Sequence, residues 1–478
     1  MRTRKAVYYL AHFSTKQKSA FRDFLASPYF NKKAEPARLF EVIERRVLRY
    51  KRGNITPEEA YAEVFPGTPF DKDVFRKLMN RLLNLVLEFL GYETLRRDRG
   101  ALLRATHRTV STLGADHYFE FLHRQVTDQL APNDIDYFEY AYQVELSRSE
   151  LLAKKSLRSD FHNFDRLLEL AENSYIVKKL DLGYHSLTTG RLIGKQSESM
   201  DDFLAELGDS IELRPLVIQM LYRRYMTLTR LEDPTHFYHL RRMLTQHTTE
   251  ISTALAGELY KGLLSYSIYR VNLGDQEFLP ELLQVYQAML RQGFLSSAEG
   301  LLPAAHFKNI VVVAARAGEM AWADWFIDQY GPQIEPELRE TALVYNQAVL
   351  NYFRRQFKAA EQGLVQIAAD PKDIFYGIDA RSYLLRIYYE TVNFDGMESL
   401  CHSFRFYLTR NKSLPAGRKK QYLTFLALYR RLMNVPPRDF ERLSKLKADI
   451  LASPRIAPRV WLLEKLDDLL NDLPQHHR

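Results

Sequence analysis

The sequence predicts an all-α protein in which a basic N-terminal helical bundle precedes a stack of antiparallel helix pairs. Three observations carry this. Apolar residues recur at three- and four-residue spacing in segment after segment, which is the period of a helix face. Ala323, Ala360 and Met397 occupy matching places in successive hairpins, each 37 residues after the last. The 478 residues are 46% hydrophobic and 26% charged, with only 20 glycines and 19 prolines and no Gly- or Ser-rich tract. That composition supplies ample core and confines expected disorder to the tail Gln475-His476-His477-Arg478.

The middle hairpin is the clearest. Tyr345, Ala348, Val349 and Tyr352 share one helix face, and Phe357, Ala360, Leu364 and Ile367 share another. Asp370-Pro371 stops the second helix, because proline lacks an N–H and clashes with the preceding turn. The hairpin before it carries Phe307, Ile310, Val311 and Ala314, then Gly318-Glu319-Met320, then Ala323, Ile327 and Tyr330. The one after carries Leu384, Leu385 and Tyr388, then Asn393-Phe394, then Met397, Cys401 and Phe404. A single helix pair cannot bury its apolar face alone, so such units must stack.

In Tyr345, Ala348/Val349, Tyr352, Ala360, Leu364 and Pro371 the middle unit resembles the tetratricopeptide-repeat (TPR) superfamily. It departs from that pattern in lacking the Leu-Gly pair and in a turn one residue short, and Met397 replaces a small residue in the next unit. The resemblance covers about a quarter of the chain and implies a right-handed α-solenoid. Residues 1–110 are expected to form the bundle, 111–200 linking hairpins and 201–478 the solenoid.

The bundle opens with a helix predicted over 5–26, with Phe21, Phe24 and Leu25 on its apolar side. Ser27-Pro28-Tyr29-Phe30-Asn31 ends it, and Asn31 is placed to cap the next helix, with Leu39, Phe40, Ile43 and Val47. This opening resembles that of uncharacterised helical bacterial proteins and implies no activity. Thr56-Pro57-Glu58-Glu59 is a helix start with a capping box. From Asp71 to about Leu90 a long helix reads as apolar almost all round, with Arg76, Lys77, Asn80, Arg81 and Asn84 on a narrow polar strip. Helices follow over 117–130, 135–156 and 161–182, then an exposed loop over 190–199. Hairpins break at Asp233-Pro234 and Gly274-Asp275. A pair over 415–451 and an amphipathic helix over 460–470, with acidic Glu464, Asp467 and Asp468, close the stack as a cap.

Charge is unevenly spread. Residues 1–110 hold 23 Lys+Arg against 12 Asp+Glu, a net of +11, while the remainder holds 44 against 47, a net of −3. The lone cysteine, Cys401, lies on an apolar helix face and reads as a small buried hydrophobe. Intramolecular disulfides are excluded and a reducing compartment is expected. No apolar run is long enough to span a bilayer, and the run after Arg2, Arg4 and Lys5 breaks at Ser14-Thr15-Lys16, so a cytoplasmic location is expected.

Catalytic signatures are missing from the sequence. Gly190-Arg191-Leu192-Ile193-Gly194-Lys195-Gln196 is one residue short of a phosphate loop and lacks its Ser/Thr. The 13 histidines show no metal-ligand spacing, and His476-His477 stands at the tail. Trp322 and Trp325 read as core aromatics. No enzyme, metal or cofactor is expected. In TPR-like stacks the first helix of each pair lines a groove. The resemblance therefore implies a peptide-binding groove at Lys308, Arg316, Asn346, Arg354, Arg386 and Tyr389. Those side chains suit an acidic peptide partner, because guanidinium and ammonium groups hold carboxylates and an amide holds peptide backbone. The leading expectation is a non-enzymatic scaffold that binds a protein or peptide. The alternative is a nucleic-acid-binding regulator that uses Arg76, Lys77, Asn80 and Arg81, since a short helix, a Pro-Gly turn and a basic long helix are similar to a helix-turn-helix unit.

Overall fold

The computed structural model describes residues 4–49, 54–113, 118–154, 163–193, 200–297, 299–436, 439–453, 456 and 458–471. Among them the regular elements are all helical, and the one β-type pairing is an isolated bridge between Leu302 and Ile334. The chain divides into two compact units, 1–132 with 136–172, and 133–135 with 173–478. Residues 136–172, expected in a linking segment, therefore belong with the N-terminal unit.

The first unit contains α1 (Lys5–Ala11), α2 (Thr15–Ala26), α3 (Ala34–Ile43), α4 (Pro57–Val64), α5 (Lys72–Arg97), α6 (Arg99–Leu113), α7 (Phe119–Thr127) and α8 (Tyr137–Lys154). The helix expected over 5–26 is two helices. Ser14 accepts from the Gln17 N–H and Gln17 accepts from the Ser14 N–H, a capping box that starts α2 afresh. Asn31 does not cap α3, whose N-cap is Lys33. It is buried instead, donating to the Leu25 carbonyl and accepting from the Lys33 N–H, so it pins the turn. Thr56 and Glu59 form the expected box, and Asp71 caps α5.

Helix α5 packs on α1, α2 and α3. It buries one face (Phe75, Leu78, Met79, Leu82, Leu85, Val86 and Phe89) and leaves Val74 and Leu87 exposed, so its apolar surface is one-sided rather than all round. Around it Phe13, Phe21, Phe24 and Phe89 form an aromatic knot with ring centroids 5.2–6.2 Å apart.

Helices α6, α7 and α8 enclose a polar chain. His123 Nδ1 lies 3.3 Å from His107 Nε2, and His123 Nε2 lies 3.3 Å from Glu145, which also accepts from Asn163. Burial, with His123 adding to it, pushes the His107 imidazole down to about 4, while Glu145 and Glu120 act in the other direction. The folded state thus binds fewer protons than the unfolded one, so stability is lost as pH falls from 6.5 towards about 4. His107 alone should remove about 2 kcal/mol between pH 7 and pH 5. Glu145 is held below the usual carboxylate range, chiefly by the hydrogen bond to His123, and so acts at more acid pH. In His107→Gln the gap between urea midpoints at pH 7 and pH 5 should shrink. An unchanged gap would place the acid sensitivity elsewhere.

Helix α9 (Phe164–Ile193) contains the division between the units. It runs through Gly190 to Ile193, so the first residues of the loop expected over 190–199 are helical. Residues 194–199, including Gly194-Lys195-Gln196, lie outside the described residues, as does His476-His477.

The second unit continues with α10 (Asp201–Asp209), α11 (Leu216–Thr229), α12 (Thr235–Gln246), α13 (Thr253–Leu273), α14 (Phe278–Arg291), α15 (Ala304–Arg316), α16 (Met320–Tyr330), α17 (Arg339–Phe353), α18 (Phe357–Ala369), α19 (Ile374–Glu390), α20 (Phe394–Arg410), α21 (Ala416–Asn434), α22 (Phe440–Leu451) and α23 (Arg459–Asn471). Partners pack within each pair, and α11 meets α13, α15 meets α17 and α17 meets α19.

The 37-residue step is visible in the backbone. Helices α15, α17 and α19 end at Arg316, Phe353 and Glu390, and α16, α18 and α20 start at Met320, Phe357 and Phe394. Between them Gly318, Arg355 and Val392 all have positive φ, 82°, 61° and 55°. A left-handed residue lets the chain leave one helix sharply, and only the first position uses the residue suited to it. Cys401 is buried as expected, and burial pushes its thiol up. Trp325 is 49% exposed, so it is not the core aromatic that its spacing predicted. Helix α23 packs on α21 and α22 but also reaches α13, so it does more than cap the end.

Candidate functional site

The repeat places equivalent side chains one above another. Val312 and Arg386 are equivalent positions two steps apart, as are Ala315 and Tyr389, with Tyr352 between that pair. These last turns of α15, α17 and α19 face a cavity of about 760 Å³. Asn272 of α13 and Arg418 and Gln421 of α21 extend its walls, and α23 supplies Val460, Trp461 and Glu464. First helices of successive pairs therefore share one lined space, closed on one side by the C-terminal helix.

Helix α23 is firmly seated. Trp461 is 5% exposed, stacks on Tyr429 and meets the Tyr389 ring edge-on at 5.4 Å. Lys465 pairs with Glu390 at 2.8 Å, and Lys447 of α22 pairs with Asp467. Arg459 donates to the carbonyls of Ile450 and Leu451, which fixes the turn into the helix.

The cavity is rich in donors. It is lined by Arg316, Arg386, Arg418 and Arg459 against the single carboxyl of Glu464. Arg316 donates to Gln276 at 3.3 Å, and the Arg386 guanidinium lies 4.2 Å from the centre of the Tyr383 ring. Among the described residues neither arginine has an ion-pair partner within 4.0 Å. Arg386 Nε and Trp461 Nε1 are buried donors without an acceptor there. Such groups lose their hydration and gain nothing in return, which is the condition an anionic ligand would relieve. Burial pushes the Glu464 carboxyl up, with Arg316 and Arg386 acting against that shift. It pushes the Arg316 guanidinium down, with Glu464 opposing.

The structure sorts the predicted groove residues. Arg316 and Arg386 line the cavity, and Tyr389 packs against Trp461 beside it. Lys308 is paired with Asp379, which also accepts from the Tyr422 hydroxyl. Asn346 is fully buried, its amide donating to the Ala342 carbonyl at 2.7 Å. Arg354 is paired with Asp324 of α16. Trp461, Arg418 and Gln276 carry no repeat signal, and Glu464 reads from the sequence only as part of an acidic face. The repeat pattern marks what each pair presents, and it carries no signal for a distant helix returning onto that face.

In the first unit Arg76, Lys77 and Asn80 are exposed on α5, with Arg81 partly buried and Arg76 paired with Asp73 at 3.0 Å. A second hollow, of about 780 Å³, lies between α16, α17 and α18. Its walls are mostly apolar, and its guanidinium, Arg339, is spent on the Ile334 carbonyl. Among the described residues no helix is long and apolar enough to cross a membrane, and no group of three His, Cys, Asp or Glu side chains is placed to hold a metal ion. The chain matches no protein-family model, no curated protein and no solved structure.

Proposed function

We propose that the chain is a non-enzymatic binding protein, a right-handed TPR-like stack whose first helices capture an acidic peptide. The observation that supports this is the shared space between α15, α17, α19 and α21, with Arg316 and Arg386 facing it and no carboxylate in ion-pair reach among the described residues. A guanidinium presents a planar fork of donors that fits a carboxylate in two parallel hydrogen bonds. Apolar and aromatic side chains around it, among them Val312, Tyr352 and Phe353, supply contact area for the rest of a peptide.

The test is a titration of a labelled glutamate-rich peptide by fluorescence anisotropy. Arg316→Glu/Arg386→Glu should weaken binding by about 100-fold or more, since each charge-assisted hydrogen bond is worth about 1.5–3 kcal/mol. Far-UV circular dichroism checks that the variant is folded. Equal affinity in variant and parent would overturn the reading. A parallel arm uses mixed-sequence duplex DNA. Binding that falls linearly in log salt and is lost in Arg76→Glu/Lys77→Glu would favour a nucleic-acid regulator instead.

A further inference from the structure

We propose that the cavity walled by α23 is a binding site for a small phosphomonoester. This rests on the reading above that the α15–α21 face is the binding face, and it narrows the chemistry of what binds deepest there. Three features of the cavity argue for it. The first is charge balance. Four guanidiniums line the space against one carboxyl, and one of the four, Arg459, is bonded to backbone carbonyls. Arg459 keeps its charge in those bonds, so the lining carries an excess of positive charge that a doubly charged oxyanion offsets further than a single carboxylate does.

The second is orphaned donors. Arg386 Nε and the Trp461 indole N–H are buried with no acceptor among the described residues, and Trp461 is 5% exposed. Phosphate offers three acceptor oxygens on one centre, so it can satisfy donors that approach from different helices. The third is size and lining. A space of about 760 Å³ exceeds what an inorganic ion fills, and Tyr352, Phe353, Tyr383 and Trp461 give it aromatic walls suited to a ring. The α23 wall makes the space a pocket rather than an open track, which favours a free small molecule over a phosphorylated side chain on a peptide.

Isothermal titration calorimetry of the full chain with phenyl phosphate tests this, with inorganic phosphate, phenylacetate, a phosphotyrosine peptide and the glutamate-rich peptide as comparison arms. Saturable one-site binding of phenyl phosphate, tighter than phenylacetate, is expected. Arg386→Met should weaken it by about 10- to 100-fold. Arg386→Lys should fall between, because the ammonium keeps the charge and loses the fork. Arg418→Ala, at an exposed position, gives a variant whose folding is not at stake and should also weaken binding. Absence of phenyl phosphate binding, or equal binding by the parent and the folded variants, would overturn the proposal. So would a phosphotyrosine peptide that binds more tightly than phenyl phosphate. Glutamate-peptide binding without phenyl phosphate binding would sink the phosphate site alone. The converse would sink the peptide reading and leave the site.

Discussion

Replacing Arg224 with alanine is expected to cost the folded chain about 3–5 kcal/mol. Arg224, in α11, is fully buried. Its Nη2 donates to Asp181 at 2.5 Å, and its guanidinium lies 4.1 Å from the centre of the Tyr184 ring. Gly262 of α13 makes room for its stem, since a Cβ there would stand 2.7 Å from Arg224 Cγ. Alanine would leave Asp181 without this partner and open a void where the long side chain lay. Arg224 Nε and Nη1 find no acceptor among the described residues, so the native arrangement already carries a desolvation cost. Arg224→Met, which keeps volume and removes those donors, should therefore cost well under the alanine value. Urea unfolding followed by circular dichroism measures both. An alanine cost below about 1 kcal/mol would show that the buried guanidinium contributes little.

Phe89→Ala should cost a similar amount, about 3–5 kcal/mol, but in the first unit. Phe89 is 2% exposed and touches Phe13, Phe21 and Phe24, so truncation removes one member of the knot that joins the α1–α2 turn, α2 and α5. The three tryptophans, Trp322, Trp325 and Trp461, all belong to the second unit. The expected result is an earlier transition in circular dichroism with the tryptophan emission transition unmoved. A matching shift of the emission transition would mean that the two units unfold as one.

Much of the fold was legible because helix formation is governed by neighbours a few residues apart. Thr56, Pro57 and Glu59 announce α4 through hydrogen bonds three residues long, and Asp71 announces α5 in the same way. The Ser14 and Gln17 box is equally local, and the break in the apolar run at Ser14-Thr15-Lys16 marks the same place. Trp325 shows the opposite limit. Three-residue spacing from Trp322, itself only half-buried, cannot say how far either ring is covered, because that depends on what packs against α16.

The site was legible only in part. The step of 37 residues makes Arg386 equivalent to Val312, one turn before Arg316 on α15, so the last turns of α15 and α19 bring Arg316 and Arg386 to one space from neighbouring rather than equivalent positions. The same step cannot show which polar side chains have acid partners nearby. Lys308 is bound to Asp379, 71 positions later, and Arg354 to Asp324, 30 positions earlier.

By itself, then, the sequence determined most of the helices, the Thr56 capping box and the repeat step. All of these follow from interactions within one or two turns of chain. The tertiary structure alone decided that α23 returns to lie across the first helices, that Trp461 and Glu464 wall the cavity, and that Asn346 is core. Those outcomes depend on which distant surfaces exclude water from each other, and burial of apolar area has no direction or address in the local sequence.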